Sequence, residues 1–345
     1  MVNNRLVIRH RAKALDILRS SSKPVPIKTL AGELGITRVA LWKLIRKLEE
    51  LGYPIQANRE GYHLPKEQDP DLLYPWELEP YGSRIEWFFN TSSTMEEAKK
   101  LFRSNTPSLQ KNGMYGPDSK PFYTIAETQT VGRGRYQRTW ESPLGGIYLT
   151  LSLHRTVPLT IVGRYPLLAG AVLVETLQAL FPGLSRVPSF HAPNAKGISL
   201  KWPNDILVGK RKLGGILLDI EVEGDMVTDI HLGIGLNVRN RARDPNAVSL
   251  IELFGHSVPP RREILLQYLT RLERALSEPY LKTAIPLWKR FTSTLGKPVR
   301  IRFPEGRRAG LAGYTGIAVD LGPGGELVVQ TADGSLRVVS HGDCY

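Results

Sequence analysis

The sequence predicts a multidomain α/β protein, and three observations lead to that prediction. The chain has 345 residues, which corresponds to two or three domains at roughly 100 to 200 residues each. In the centre, apolar segments of strand type alternate with helical ones, which is typical of an α/β domain with a mixed sheet. A basic segment with two short amphipathic helices comes before this region, and short strands with glycine turns follow it.

Composition and patterning exclude several classes of protein. Hydrophobic residues make up 41% and charged residues 23% of the chain, as in globular proteins and unlike disordered or collagenous ones. The most apolar stretch, residues 166–174, ends at Glu175, well short of the roughly 18 residues of a membrane-spanning helix. The N-terminus lacks the apolar core of a secretory signal, and the single Cys344 has no partner for an internal disulfide. We therefore expect a cytoplasmic protein with no membrane partner.

The N-terminal 66 residues are strongly basic. They hold 13 basic and 5 acidic side chains, which accounts for eight of the formal net charge of +13. Clustered Lys and Arg favour nucleic-acid binding, because phosphate contacts release counterions from the nucleic acid. A basic surface that only aids solubility is the alternative explanation.

Residues 27–52 predict a helix-turn-helix. Two amphipathic segments are separated by Gly35-Ile36, and the second begins after Thr37, a candidate N-cap. In the second helix, apolar residues at i, i+3, i+4 and i+7 would face the core, namely Leu41, Leu44, Ile45 and Leu48. The side chains expected to face DNA are Arg38, Trp42, Lys43, Arg46 and Lys47.

A wing completes this prediction. Residues 53–63 suit two short strands around a turn at 58–61, so residues 1–66 are predicted to form a winged helix-turn-helix DNA-binding domain. A small helical dimerisation or docking domain is the alternative. The proline-rich, acidic run that follows predicts a linker at 67–83.

The central domain is predicted at residues 84–293. Its strand-type and helical segments are 147–153, 216–222, 230–236, 94–102 and 165–180. The chain has no cysteine cluster, no HExxH and no Walker motif, which removes zinc hydrolases and P-loop NTPases as leading candidates.

Three short blocks carry the candidate chemistry. Residues 132–140 (GRGRYQRTW) combine glycines, which allow close backbone approach, with arginines that can bind phosphate or carboxylate oxygens. They predict an anionic ligand, with an RNA-binding loop as the alternative. Residues 201–205 (KWPND) and 209–217 (GKRKLGGIL) offer a carboxylate, an amide and ammonium groups on a turn, although Lys210 and Arg211 suit a charged hairpin tip. Residues 233–238 (GIGLNV) place two glycines and an amide on a strand.

The three blocks together, in this order, resemble the motifs of the biotin protein ligases. Since a winged helix precedes them, the whole chain is similar to the bifunctional members that also act as biotin operon repressors. Residues 294–345 resemble the small SH3-like C-terminal barrel of that family. The resemblance implies two steps: ATP and biotin give biotinyl-5′-adenylate and pyrophosphate, and a lysine of biotin carboxyl carrier protein then takes the biotin. It also implies Mg²⁺, operator DNA as a partner, and a homodimer promoted by the adenylate as corepressor.

The resemblance also implies residue roles. Catalysis would involve Arg133, Arg135 and Lys212, which would supply positive charge where carboxylate and phosphate meet. The biotin-binding set would comprise these three together with Ser93, Thr94, Gln129, Gly132, Gly134, Gly215, Gly233 and Gly235. The nucleotide or its metal would be contacted by Arg138, Trp140, Asn204, Asp205 and Asn237, and no metal site made of protein ligands alone is expected.

The sequence departs from the family pattern in a few places. Ser92 and Met95 flank Ser93-Thr94 where the family has Asp and Asn, and Tyr136-Gln137 stands where Arg-Gly is usual. Two segments, 103–121 and 185–197, look like surface insertions. Two other functions stay open at this point. One is a transcriptional regulator that responds to biotin or its adenylate with little ligase activity, and the other is a ligase for lipoate or a related acid.

Overall fold

The computed structural model describes residues 5–104, 120–184, 197–278, 281–303 and 313–345. The chain divides into two compact units, Met1–Trp87 and Phe88–Tyr345. Both predicted insertions lie almost entirely outside the described residues. The predicted domain boundaries remain predictions, whereas the predicted order of architectures is confirmed: a helix-turn-helix, a sheet domain with helices and a small antiparallel β domain.

The first unit contains the predicted winged helix-turn-helix. Its elements are α1 (Arg5–Ser20), α2 (Ile27–Leu34), α3 (Arg38–Glu50), β1 (Gln56–Ala57) and β2 (Tyr62–His63). Thr37 caps α3, because its hydroxyl accepts a hydrogen bond from the Ala40 amide at 3.1 Å, and Gly35 ends α2 at φ +65°. The wing strands β1 and β2 pair antiparallel. The sequence analysis did not identify α1.

The predicted linker is not an extended spacer. Tyr74 and Trp76 belong to the buried core of the first unit, and the Trp76 indole donates to the Tyr53 hydroxyl at 2.9 Å. Arg19 binds Asp69 at 2.7 Å and Glu77 at 2.8 Å. The prolines and carboxylates that suggested a solvated linker therefore alternate with aromatic residues that bury their rings.

The second unit is built on a seven-stranded sheet, whose first strand begins just before the boundary between the units. Its strands are β3 (Ile85–Thr91), β4 (Phe122–Gln129), β5 (Ile147–Pro158), β6 (Ile198–Lys201), β7 (Asp205–Val208), β8 (Arg211–Glu223) and β9 (Met226–Leu236). They lie in the order β3-β4-β5-β9-β8-β7-β6. The long strands β5, β9 and β8 pair antiparallel at the centre, and β4 and β7 flank them antiparallel.

Helices cover this sheet. They are α4 (Thr94–Ser104), α5 (Arg164–Leu180), α6 (Leu250–Phe254), α7 (Arg261–Leu276) and α8 (Ala284–Lys289). Helix α4 lies against β4, β5 and β9, and α5 lies against β6, β7 and β8. Helix α5 packs in turn on α7 and α8, and this burial explains its nearly uniform apolar sequence.

Within the described residues, one helical stretch is long and apolar enough to cross a membrane, which the sequence analysis did not expect. This stretch, Leu159–Leu180, has 22 residues. Its 18-residue segment of mean hydropathy 1.3 is 61% buried inside the protein. Core helices have the same composition, and this stretch includes α5, which packs on the sheet.

A five-stranded antiparallel sheet ends the chain. Its strands are β10 (Pro298–Arg302), β11 (Tyr314–Leu321), β12 (Leu327–Gln330), β13 (Leu336–Val339) and β14 (Asp343–Cys344). They lie in the order β13-β12-β11-β10-β14. The inner face buries alternate apolar residues such as Ile301, Ala318 and Val329, as expected for a sheet covered on one side.

Candidate active site

A pocket of about 380 Å³ opens in the second unit. It brings together every residue predicted to contact biotin or the nucleotide except Gly132. Because these residues come from separate stretches of the chain, their convergence depends on the sheet: β8 and β9 pair Gly215 with Gly235. Their individual roles remain predictions.

Glycines form the floor of the pocket because side chains lie directly on the backbone of β9. A Cβ at Gly235 would come within 2.6 Å of the Trp140 indole, and one at Gly233 within 3.1 Å of Met95 Cε. The contact at Gly235 is closer than real Cβ atoms tolerate, so the indole needs glycine there. Met95, one of the departures from the family pattern, therefore packs over the strand at Gly233.

A hydrogen-bond network closes the end of the pocket beside α4. Gln129 Oε1 accepts from the Thr94 amide at 2.7 Å and from its hydroxyl at 3.1 Å. Gln129 Nε2 donates to the Ser142 hydroxyl at 2.8 Å, and the Thr150 hydroxyl donates to that of Thr94 at 3.0 Å. Ser93 is buried next to this network. Short hydroxyl and amide groups of this kind suit a neutral polar ligand group such as a urea.

Lys212 carries its charge into the pocket, next to the glycine floor at Gly215. Its ammonium lies 2.6 Å from Asp205 Oδ1 and 5.2 Å from the centre of the Trp140 ring. Asn204 Nδ2 donates to the Ile216 carbonyl at 2.8 Å, which fixes the turn before β7. The Lys212 cation is therefore positioned by a carboxylate and an aromatic face.

The arginine loop borders the pocket, and its guanidinium groups are bound to other groups of the protein. Arg133 pairs with Glu96 at 2.8 Å, and Arg138 binds Asp343, which raises the pKa of Arg138. Arg135 donates to the Gly342 carbonyl at 2.9 Å. In this state the loop arginines bind carboxylates and carbonyls, the groups that an anionic ligand would replace.

The residues that depart from the family pattern shape this loop. Tyr136 and Gln137 adopt left-handed backbone conformations, with φ of 56° and 61°. The Tyr136 hydroxyl accepts from Arg135 at 2.8 Å and from the Gly342 amide at 2.8 Å. Gly132 is not among the residues that line the pocket, and its predicted contact with biotin stays a prediction. A Cβ at this position would collide with the Trp140 carbonyl oxygen, so the closure of the loop needs glycine there.

Two groups of pocket residues were missed by sequence reasoning. The first comes from the loop after β9, where a basic alternation at 239–243 (RNRAR) was the available signal. The second is the end of the chain, about 200 residues from the loop that it contacts, and no local pattern marks it. The missed residues in these two groups are Asn240, Arg241, Ala242, Arg243, Asp244, Ala247, Asp343, Cys344 and Tyr345. Lys210 and Arg211 lie exposed at the β7–β8 turn, as predicted for a hairpin tip.

The predicted DNA-facing surface of α3 is exposed. Leu41, Ile45 and Leu48 are buried and Leu44 is partly buried, whereas all five predicted DNA-facing side chains lie in solvent. Two of the four cations among them are engaged in local ion pairs, Arg46 with Glu49 at 3.4 Å and Lys47 with Glu50 at 3.0 Å. Exposed pairs of this type are weak, so phosphates can replace the carboxylates.

Three family models match the chain. The Biotin/lipoate A/B protein ligase family covers residues 101–237, a helix-turn-helix domain covers 10–63, and the Biotin protein ligase C terminal domain covers 294–345. The biotin--[acetyl-CoA-carboxylase] ligase of Mycobacterium tuberculosis is 32% identical over 249 residues, 70% of this chain and 84% of that protein. The chain belongs to the biotin protein ligase family.

Bifunctional members of the ligase family match almost the whole chain. The bifunctional ligase/repressor BirA of Bacillus spizizenii is 27% identical over 339 residues, which is 93% of this chain and 94% of that protein. The biotin protein ligase from Aquifex aeolicus, solved in complex with biotin and ATP, has a TM-score of 0.55 and 27% identity, covering 76% of this chain and 97% of that one.

Proposed function

We propose that this chain is an ATP-dependent biotin protein ligase that also represses transcription from an operator. The observation that carries the ligase assignment is the pocket itself. It joins a neutral polar end at Thr94 and Gln129 to a cationic middle at Lys212, along a glycine floor covered by Trp140. This order of neutral and cationic surfaces matches a ligand with a urea at one end and a carboxylate at the other.

In the first step, a carboxylate oxygen of biotin attacks the α-phosphorus of ATP, and the bond from that phosphorus to the bridging oxygen breaks. Two anions must approach each other, so the barrier falls when fixed cations stand where the charge collects. Lys212 is already held at 2.6 Å from Asp205, so little reorganisation is needed. Arg135 and Arg133 would exchange their present partners for oxygens of the reactants.

The residues present suit Mg²⁺ bound largely through the nucleotide. No group of three or more metal-ligating side chains occurs in the described parts of the chain, but Mg²⁺ commonly binds one or two carboxylates together with substrate phosphates and waters. Asp205 supplies a carboxylate in the pocket beside Lys212, and Asn204 and Asn237 line the same pocket. When bound, the ion would neutralise phosphate charge.

In the second step, the amine of a carrier-protein lysine attacks the carbonyl carbon of the mixed anhydride and AMP leaves. Gln129, Thr94 and Trp140 would hold the biotin and adenosine parts in place during the attack. Biotin carboxyl carrier protein is the acceptor that we propose, because relatives are named as ligases of acetyl-CoA carboxylase.

The repressor function rests on the first unit. Its helix-turn-helix exposes the cations of α3, and the relatives that match over nine tenths of the chain are named ligase/repressor. We propose operator DNA as the partner, biotinyl-5′-adenylate as corepressor, and a homodimer as the form that binds two half-sites. Such a repressor would act in the cytoplasm, where it can reach its operator.

Parallel incubations test the enzyme assignment. The protein is mixed with ATP and Mg²⁺ and with either labelled biotin or labelled lipoate, and each mixture is prepared with and without a carrier domain. We expect adenylate and labelled carrier from biotin alone. Label from lipoate would favour the lipoate ligase, and adenylate-dependent DNA binding without carrier labelling would favour a regulator with little ligase activity.

A further inference from the structure

Two large apolar side chains lie on the exposed face of α3. Val39 is 66% and Trp42 is 56% exposed, and neither belongs to the buried core of the first unit. All six tryptophans lie in the described parts of the chain, and the other five are buried or half-buried. An apolar group kept in water forgoes the free energy of burial, so a pair of neighbouring apolar side chains marks a surface that contacts a partner.

The exposed face of α3 has a helical repeat of its own. Four exposed residues stand at i, i+3, i+4 and i+7, namely Val39, Trp42, Lys43 and Arg46. Their side chains therefore lie on one side of the helix. The apolar pair, Val39 and Trp42, belongs to the first two turns of α3, and the two cations follow toward its C-terminus. The partner must offer apolar groups and negative charge within about 10 Å of each other.

Charge and architecture identify DNA as that partner. The first 66 residues hold 13 basic and 5 acidic side chains, a net charge of +8, and residues 10–63 form the helix-turn-helix. In this architecture the second helix lies in the major groove of DNA, and residues of its N-terminal turns contact the edges of the bases. Val39 is the second and Trp42 the fifth residue of α3. The apolar pair is therefore placed at base edges, with Lys43 and Arg46 beside it to meet phosphates.

The chemistry of the base edges selects the base. In the major groove, adenine, guanine and cytosine present hydrogen-bond donors and acceptors, whereas thymine adds a C5-methyl group. The side chain of Val39 has no hydrogen-bonding group, and that of Trp42 has one donor. If the pair covered polar edges, it would remove water from donors and acceptors without replacing their hydrogen bonds, which costs affinity. The methyl group of thymine is the part of a base edge that gains from apolar contact.

We propose that Val39 and Trp42 read thymine in the operator through its C5-methyl group. This inference rests on the proposed repressor function and deepens it, because it names a base that each half-site must carry. Burial of one methyl group between apolar side chains changes affinity about three- to fivefold. Lys43 and Arg46 hold the helix against the phosphates, so the cations supply affinity and the apolar pair supplies sequence preference.

Replacement of thymine by deoxyuridine tests the proposal on the DNA side. The probe is a duplex that the unaltered full-length protein selects from a random-sequence library in the presence of biotin, ATP and Mg²⁺. Each thymine of this duplex is replaced in turn by deoxyuridine, which pairs with adenine in the same way and lacks only the methyl group. Fluorescence anisotropy measures the affinity. We expect it to fall about three- to fivefold at one or two thymines of each half-site and to stay within about twofold at the others.

Variants of the apolar pair test the proposal on the protein side. Val39→Ala and Trp42→Ala shorten exposed side chains, so the fold should be retained, with a Tm close to that of the unaltered protein. At the thymine that it contacts, each variant should bind the thymine and deoxyuridine duplexes equally, because the two partners of one contact are coupled. The dependence of affinity on salt should not change, since no phosphate contact is lost. Val7→Ala, which changes an exposed valine of α1, is the matched control and should keep the full preference for thymine.

The outcomes separate this inference from the repressor function itself. If the protein selects a sequence but binds every deoxyuridine duplex as tightly as the original, the inference is wrong and the repressor function stands. The same conclusion follows if the selected half-sites contain no thymine. It also follows if both variants keep the preference for thymine, which would indicate that the apolar pair contacts a protein instead. If no sequence is enriched from the library, the repressor function fails and the inference fails with it.

Discussion

The cations of α3 and the cations of the pocket are held in different ways. On α3, Arg46 and Lys47 pair with carboxylates three residues away on the same helix. In the pocket, Arg138 binds Asp343, about 200 residues along the chain, and Lys212 is held between β7 and the loop after β9. A helix surface organises itself locally, whereas the pocket exists only when the whole second unit is folded.

This difference predicts that single substitutions act more strongly in the pocket than on α3. Pocket cations are preorganised by the fold, so a donor that is removed is not replaced by a neighbour. The α3 cations are exposed to solvent. Salt screens each of their contacts there, and adjacent cations contribute together to the attraction for phosphate. The expected effects therefore run from large in the pocket to small on the helix.

The largest effect is expected for Lys212→Ala and Arg135→Ala. In the proposed mechanism Lys212, held beside Asp205, and Arg135, released from the Gly342 carbonyl, both meet the reacting oxygens, and we expect loss of either to slow adenylate formation on the order of 10² to 10³-fold. The measurement is single-turnover formation of biotinyl-5′-adenylate. Turnover like that of the unaltered protein would remove the substituted residue from the catalytic set.

A smaller effect is expected for Gly235→Ala. The new Cβ would come within 2.6 Å of the Trp140 indole, and relief of such overpacking costs about 1 to 3 kcal/mol. We expect a lower Tm and slower adenylation. Gly183→Ala is the matched control, because its Cβ would meet only an ordinary contact at 3.6 Å.

A double variant sharpens this test. If the clash with Trp140 is the cause, Trp140→Ala should remove it, so that adding Gly235→Ala to Trp140→Ala costs little further stability. Additive effects of the two substitutions in thermal unfolding would instead place the cause in the strand backbone.

Local patterns were enough to predict most elements but not every packing relation. The apolar spacing on α3 identified its buried face correctly, whereas the glycines of β9 were linked to the pocket only by the family resemblance. In the segment 67–83, proline and acidic residues dominate the composition and gave no sign that Trp76 is buried, because that burial depends on Tyr53 elsewhere in the unit.

Several contacts in the pocket could not be predicted from the sequence. Its motif residues converge as the resemblance implied, but the partners of Arg135 and Arg138 come from the end of the chain. The loop that carries Arg241 and Arg243 offers only a basic alternation at 239–243, and its position follows from hydrogen bonds to the backbone of Lys212. Contacts across such long sequence separations are set by topology and leave no periodic signal.

We expect dimerisation to be coupled to adenylate binding. The expected change in affinity lies between the effect of the pocket substitutions and that of the α3 substitutions. If the adenylate replaces the present partners of the loop arginines, the loop at 132–140 is ordered in a new state that favours a dimer. Coupling between sites is commonly about 5- to 150-fold and reciprocal, so dimer formation should tighten adenylate binding equally. Sedimentation of the protein alone, with biotin, and with biotin, ATP and Mg²⁺ measures it. An unchanged monomer fraction in all three, with unchanged operator affinity, would contradict the mechanism.

The smallest effect is expected on α3, for Lys43→Ala and Arg46→Ala. Each removes one exposed cation, and removal of a phosphate interaction worth about 1 kcal/mol weakens operator binding roughly fivefold. The slope of log affinity against log salt should fall by about 0.9 for each phosphate that is no longer neutralised. Val39→Ala, which changes an exposed apolar neighbour on the same helix, should leave that slope unchanged.

In the Lys43→Ala and Arg46→Ala variants, adenylation and carrier labelling should also be unchanged, because α3 and the pocket belong to separate compact units. A parallel loss of ligation would show that the helix surface and the pocket are not independent.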